Sequence, residues 1–479
     1  MLLNSALEVQ RLNQNEERTA TLCATLASLE YERIERRVTE RAKDLILDHL
    51  GVALHAAPLP WSRMVREHVL AQGDRAEATV YGYGAALPRN AALANATAAH
   101  GIELDDTHDE SMSHPGAVVI PVALALAEAR KLDGRALIAG MVAGYEAQCR
   151  TGAAATEALI ANGFHPTAAA GAFGAAATAG RLLGLDGDRL QSAFGLAGSM
   201  ASGTMQFTQD ADGTMVKRLH AGIPAQNGIL AAELAARGYR GPCGAIDGRY
   251  GFVRVFAREA RNLDRLTRGL GETWEIDEVS IKLYACCRLF HSFIDAVGRI
   301  RAETTIEPEQ VASVHVLGPK AMYEGRMQYR PHSVMSAQYS IPYVAAATLM
   351  LDPRDPRSFS EAQMARPDVL ALMDRVTPEP VASLDTYFPS RCPGGVRITL
   401  NDGRAFTHTV IDSIGTPLQP LDREGIRKKY STLTAGVVAA DRQKQIADLV
   451  FSIDKTDGAV QRLMQLLRDA CAPAQPEVK

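Results

Sequence analysis

The sequence predicts a mainly α-helical protein with a smaller α+β part set into it, and three observations carry that reading. Apolar residues recur at three- and four-residue spacing from about residue 20 to 265. Between residues 273 and 412 the texture changes to short β-branched runs punctuated by Gly and Pro. Helical spacing then returns and runs almost to the end. The expected division is a large helical domain over residues 1–272, completed by 413–479, and an inserted α+β domain over 273–412.

Taken in order, "RVTERAKDLILDHLGVALH" opens the helical part with a clear apolar stripe. "RALIAGMVAGYEAQCRTGAAATEAL", "TAAAGAFGAAATAGRLLG" and "DRLQSAFGLAGSM" follow, so rich in Ala and Gly that helix backbones can approach closely. Two Leu-Asp-Gly turns, at Asp133 and Asp186, separate successive helices. In the inserted part "WEIDEVSIKLYACC" and "VASVHVLGP" read as strands, while "HSFIDAVGRIRAE" and "YSIPYVAAATLML" read as helices. "GVRITLNDGRAFTHTVIDSIG" predicts a β-hairpin around Asn401-Asp402-Gly403. "REGIRKKYSTL" and "DRQKQIADLVFSI" restore the helices, and "APAQPEVK" reads as a frayed tail.

Bulk properties narrow the function. A 479-residue chain with 47% hydrophobic and 22% charged residues is ordinary for a globular protein of two or three domains. A net charge of -4 without a dense Lys/Arg run argues against nucleic acid as a partner. The N-terminus lacks a secretory pattern, and the apolar run Gly116–Ala129 is too short to span a bilayer, so no membrane partner is expected. Seven scattered cysteines form neither a disulfide framework nor a C-x-x-C pair, which implies a reduced, cytoplasmic protein.

Five stretches bear chemistry. "ELDDTHDESMSHPG" places five carboxylates and two histidines in fourteen residues, including Glu103, Asp106, Thr107 and His114. Asp105, Asp106, His108 and His114 are metal-ligand types, but their spacing matches no metal loop. The plain alternative, Ser113 as N-cap with Pro115 in the first turn, leaves Asp105, Asp106 and His114 unexplained. "NGFHPTAAAG" repeats the His-Pro helix start at His165, where exposed backbone N–H groups favour anions. "TMVKRLHAG" brings Lys217, Arg218 and His220 to another apolar helix, a cationic set suited to carboxylates. "IKLYACCRLFH" contributes Lys282, Cys287 and Arg288, and "SAQYSIP" contributes Tyr339 as a phenolic donor. Together these are the parts for moving a proton beside carboxylates. No phosphate-binding loop, dinucleotide fingerprint or nucleophile elbow is present, and no cofactor is expected.

In sequence order these five stretches resemble the MmgE/PrpD family, which includes 2-methylcitrate dehydratase, cis-aconitate decarboxylase and iminodisuccinate epimerase. The resemblance spans nearly the whole chain and implies a homodimer with a helical domain, an α+β lid and metal-independent chemistry on a small di- or tricarboxylate. It assigns catalytic roles to His114, His165, Lys217, Lys282 and Tyr339. Glu103, Asp106 and Thr107 match its acidic stretch, and Arg218, His220, Cys287 and Arg288 join them as expected substrate-binding residues. Two departures bear on the reaction. Cys287 stands where the decarboxylase branch has a histidine, and the Thr107–His114 spacing is one residue longer. Both turn the expectation toward a 2-methylcitrate dehydratase-like hydro-lyase, with an epimerase or a decarboxylase as the alternatives. In this reading Asp105 and Asp106 support the acid/base residues. Two rivals stand outside it: a metal-dependent hydrolase on Asp105, Asp106, His108 and His114, and a non-catalytic dimeric scaffold.

Overall fold

A computed structural model describes residues 17–471, except 74, 211–213 and 469. The expected tail "APAQPEVK" and the first sixteen residues lie outside the described residues. The protein is mainly α-helical with an α+β part. Helix α1 covers 17–27. It is followed by α2 (Arg36–Ala56), α3 (Pro60–Leu70), α4 (Pro88–Ala99), α5 (Pro115–Ala129), α6 (Gly134–Ala161), α7 (Pro166–Leu182), α8 (Gly187–Ser199) and α9 (Val216–Ala236). Asp133 and Asp186, the residues of the two Leu-Asp-Gly turns, cap α6 and α8 by accepting from Ala136 N and Arg189 N.

The small residues do what their density predicts. Helix α7 packs against α5, α6 and α9, and α4 packs against α9. At Gly228 of α9 a Cβ would collide with the Ala175 side chain and lie 2.6 Å from the Ala175 carbonyl carbon. Gly228→Ala is therefore expected to destabilise the fold by about 1–3 kcal/mol through overpacking. Urea denaturation would show it as a lowered midpoint, and an unchanged midpoint would mean the α7–α9 contact is slack.

Short strands β1 (Ala78–Val80) and β2 (Gly84–Ala86) form a small hairpin within the helical part. Strands β3 (Thr107–His108) and β4 (Val279–Ser280) pair antiparallel, tying the acidic stretch to the segment that precedes Lys282. A four-stranded sheet follows from β5 (Val311–Gly318), β6 (Val376–Pro380), β7 (Gly394–Leu400) and β8 (Ala405–Val410), in the order β6-β5-β7-β8. The β7–β8 hairpin turns at Asn401-Asp402-Gly403 as expected, with Gly403 at φ 87°. Helix α10 (His291–Glu303) covers β7 and β8. Shorter helices α11 (Val334–Gln338), α12 (Ile341–Met350), α13 (Glu361–Met364), α14 (Pro367–Met373) and α15 (Ala382–Asp385) complete this part. Finally α16 (Arg423–Thr434) and α17 (Ala440–Phe451) pack back onto α2, and α18 (Ala459–Arg468) onto α5.

Two apolar clusters result. One joins α1–α9 with the C-terminal helices through residues such as Leu50, Phe173, Ile426 and Leu463. The other joins Phe290, Val316, Tyr343 and Ile398 with Ile102 and Leu104 from the helical part. Two local expectations fail. Residues 237–262 are mostly loop and turn with one short π-helix at Val253–Ala257, because "GYRGPCGAIDGRYG" breaks the periodicity. "WEIDEVSIKLYACC" is strand only at Val279–Ser280. Beyond it the backbone bonds to separate neighbours, Ile281 N to Gly415 O and Cys287 N to Gln338 O, so no ladder can form.

Candidate active site

Three helix N-termini meet at one place. His114 and His165 are the N-cap residues of α5 and α7, each followed by a proline that needs no backbone partner. The backbone N–H of His114 donates to Thr167 Oγ1 at 3.1 Å, which fastens one mouth to the other. Ser113 is not the cap. Its hydroxyl lies 2.8 Å from that of Ser111. Lys217 and Arg218 occupy the first turn of α9, where the helix dipole disfavours cations. Such a placement needs an offset.

Glu103 supplies it. Its backbone sits at φ 58°, a conformation few non-glycine residues adopt. Its carboxylate is buried against Lys217 Nζ, with Arg218 Nη1 at 2.9 Å and Lys282 Nζ at 3.6 Å. Lys217 also donates to the Tyr339 hydroxyl at 2.6 Å, and that hydroxyl donates to Glu103 Oε2 at 3.3 Å. Burial would raise the Glu103 carboxyl, but Lys217, Lys282 and Arg218 hold it well below the usual range. Burial pushes the Tyr339 phenol well up, so it stays protonated. The result is a buried group of three cations with one protein carboxylate among them.

The histidines beside it are kept neutral. Burial lowers His114 to about 3, with help from His100, Lys217 and Lys282 and against Asp105. Burial and Lys217 drive His165 well below its ordinary value, and burial takes His220 to about 4. His165 Nδ1 and His220 Nδ1 share a hydrogen bond of 3.1 Å. His114 Nδ1 donates to the Asp106 carbonyl at 2.9 Å, which leaves Nε2 as the basic nitrogen. The linkage has a definite sign. Between pH 6.5 and about 4 an unfolded histidine binds a proton that folded His220 refuses, so the group withdraws stability as pH falls. His220→Asn is therefore expected to lose less stability than the parent between pH 6.5 and 4 in urea titrations. Parallel curves would contradict the burial argument.

A cavity of about 980 Å³ opens over these groups, lined among others by Glu103, Thr107, His114, His165, Cys287 and Tyr339. Its size lies at the upper end for small-molecule sites. Residues 20–262 match the MmgE/PrpD N-terminal domain and residues 284–455 the MmgE/PrpD C-terminal domain. The chain belongs to the MmgE/PrpD family. Among its relatives, the cis-aconitate decarboxylase of Aspergillus terreus is 32% identical, across 94% of this chain and 95% of its own length. The human cis-aconitate decarboxylase is 29% identical over 96% of each chain. A cis-aconitate decarboxylase-like protein of Aspergillus oryzae is 28% identical, over 94% of this chain and 97% of its own. These MmgE/PrpD relatives carry a decarboxylase name.

Within this family member, most of the expected site residues come together. Glu103, His114, His165, Lys217, Arg218, Lys282 and Tyr339 form one contiguous group, with His220 behind His165. Thr107 and Cys287 line the cavity wall. Arg288 also lines it, with its guanidinium held by Asp109 at 2.8 Å and by the Ser413 hydroxyl. Asp106 departs from the expected substrate-binding role. Its carboxylate caps α5 through Gly116 N at 2.8 Å and accepts from the Tyr145 hydroxyl at 2.6 Å, which turns it away from the cavity. Burial there pushes its carboxyl up to about 7.

The set Asp105, Asp106, His108 and His114 does not assemble as a metal cage either. His108 faces Glu275 at 3.2 Å, beside an Arg265 that also grips Glu110. Asp105, His114 and His100 do approach closely enough to share an ion. The ammonium charges of Lys217 and Lys282 that depress His114 oppose a further cation there. Sequence reasoning missed His100 and Gln338. Gln338 braces Arg218 at 3.1 Å and donates to Ile102 O, and its place beside Tyr339 was the one available signal.

Proposed function

We propose that this protein is a lyase that acts on a small di- or tricarboxylate by carbon-acid chemistry, and that decarboxylation of a cis-aconitate-type tricarboxylate is the reaction to test first. The observation that carries this reading is the buried Lys217–Lys282–Arg218 group around Glu103, set beside two neutral histidines that face the same cavity. Substrate carboxylates would exchange with Glu103 for the two ammonium groups. Those charges then offset the negative charge that builds when a carbon loses a proton or carbon dioxide. A neutral His114 Nε2 can accept a proton, and His165 or the protonated Tyr339 can donate one on another side of the substrate. The names of the relatives favour loss of carbon dioxide as the first chemistry.

A second reading, loss of water from 2-methylcitrate, is favoured by Cys287 on the cavity wall, where the decarboxylase branch carries histidine. Proton NMR of cis-aconitate, citrate, 2-methylcitrate and an amino-dicarboxylate panel in deuterated buffer separates these readings, with carbon dioxide followed in parallel. Carbon dioxide released with an alkene product supports the first. An alkene formed without carbon dioxide supports the second, and deuterium exchange alone supports an epimerase. Turnover should fall below detection in His165→Ala. Turnover unaffected by that substitution would overturn the site assignment.

A further inference from the structure

Four histidine rings stand in sequence across the floor of the site. His114 lies 5.0 Å from His100 between ring centroids, His100 lies 5.8 Å from His165, and His165 lies 5.1 Å from His220. His114 and His165 reach the cavity, whereas His100 is fully buried beneath them. Its Nδ1 lies 2.6 Å from Asp105 Oδ2, the oxygen that also stands 3.3 Å from His114 Nδ1. Its Nε2 has no hydrogen-bond partner, and neither has Asp105 Oδ1. Buried polar atoms are rarely left so without a reason.

Placement on the helices adds a second argument. His114 and His165 sit at helix N-termini, where the dipole opposes a positive ring. His100 is the C-cap of α4, where the dipole favours one. Asp105, already bonded to it, supplies the counter-charge. Of the rings in this network, His100 therefore combines a helix C-terminus with a hydrogen-bonded carboxylate.

We propose that His100 is the proton-holding residue of this site, which takes up through its free Nε2 the proton that one cavity histidine has gained and returns it to the other. The inference rests on the carbon-acid reading above. The proton leaves the substrate carbon for His114 Nε2, while the C–H electron pair stays on the substrate and spreads into its carboxylate. It moves to His100 Nε2 when the two rings swing together across the 5.0 Å between their centroids, forming an imidazolium whose Nδ1–H stays hydrogen-bonded to Asp105. His165 then delivers it to a leaving hydroxyl or to carbon, and all three rings end neutral. The charged and titratable groups around His100 are Asp105 from the loop, His114 from α5, His165 from α7, His220 and Lys217 from α9, and Lys282 from the segment after β4. Asp48 and His49 of α2 act on the far side of Asp105. His100 acts through its neighbours, so it is a positioning residue that also carries charge.

The test uses His100→Asn, whose amide N–H can still donate to Asp105 but cannot titrate. Expected are a kcat lowered at least about tenfold, a KM within about twofold, and a pH profile of kcat that loses its acid limb. A purely structural role would instead be rescued by Asn, with the profile unchanged, and that result would overturn the proposal. Nitrogen-15 NMR of the imidazoles gives a reading independent of turnover. The His114 and His165 signals should titrate together in the parent and separately in the variant, and identical titrations would sink the idea. If the parent converts no carboxylate, the lyase reading fails while the NMR comparison still decides the role of His100. His100→Gln serves as the second variant should Asn impair folding.

Discussion

Glu103→Gln is expected to lower the stability of the fold by about 3–5 kcal/mol, the usual cost of removing one partner from a buried ion group. The substitution keeps the volume and one acceptor but leaves Lys217, Arg218 and Lys282 mutually repelling in a buried space. Pairing with these cations depresses the folded carboxyl, so its contribution is complete above the unfolded value near 4.3 and is lost as pH falls toward the folded one. Denaturation at pH 7 and pH 4 should therefore show a large gap between parent and variant at pH 7 that narrows at pH 4. A variant as stable as the parent at pH 7 would mean that the three cations do not depend on Glu103. Added citrate or cis-aconitate should restore part of the lost stability, because a substrate carboxylate takes the place of the missing one.

The second large effect belongs to His114. His114→Ala is expected to reduce kcat by about 10²–10⁴-fold, the range for a positioned acid or base. KM should move little, because the ammonium and guanidinium groups that hold carboxylates are untouched. The Asp106 carbonyl fixes the tautomer through Nδ1, and this directs the loss onto the proton-transfer step. Steady-state kinetics on whichever carboxylate is turned over would check it. A raised KM with unchanged kcat would make His114 a binding residue and leave His165 as the sole base.

Much of the site was legible because proline and helix spacing leave strong marks. The His114-Pro115 and His165-Pro166 pairs announce helix mouths, since proline fixes the first turn and removes a donor. The Lys217-Arg218 pair stood out against an apolar helix. The role of Glu103 was only half legible. Its acidic character was plain, but neither its left-handed backbone nor its three cationic partners, which come from α9 and from the segment after β4, can be read locally. His100 gave no local signal at all, since a histidine before glycine at a helix end looks like an ordinary terminus. The acidic stretch misled for the opposite reason. Asp106 and His108 look like substrate or metal ligands by composition, yet long-range partners at Tyr145 and Glu275 engage them away from the cavity. The segment 273–287 failed as a strand because its β-branched pattern was answered by scattered single bonds.

The cation group draws Lys217 from α9, whose apolar residues pack in one cluster, while Tyr339 and the stretch after Lys282 pack in the other, and Glu103 closes the circuit between them. Neither half holds a working set. The helical half alone sets one carboxylate, Glu103, against Lys217 and Arg218, and the other half brings the Tyr339 hydroxyl that bonds to Lys217 and Glu103. Exchange of one half for that of a divergent relative would be filtered first by the hydrogen bonds across this seam and only later by substrate fit. Chimeras that swap residues 284–410 should accordingly succeed only between parents that keep glutamine at 338 and tyrosine at 339, the residues through which the swapped part meets Arg218, Lys217 and Glu103.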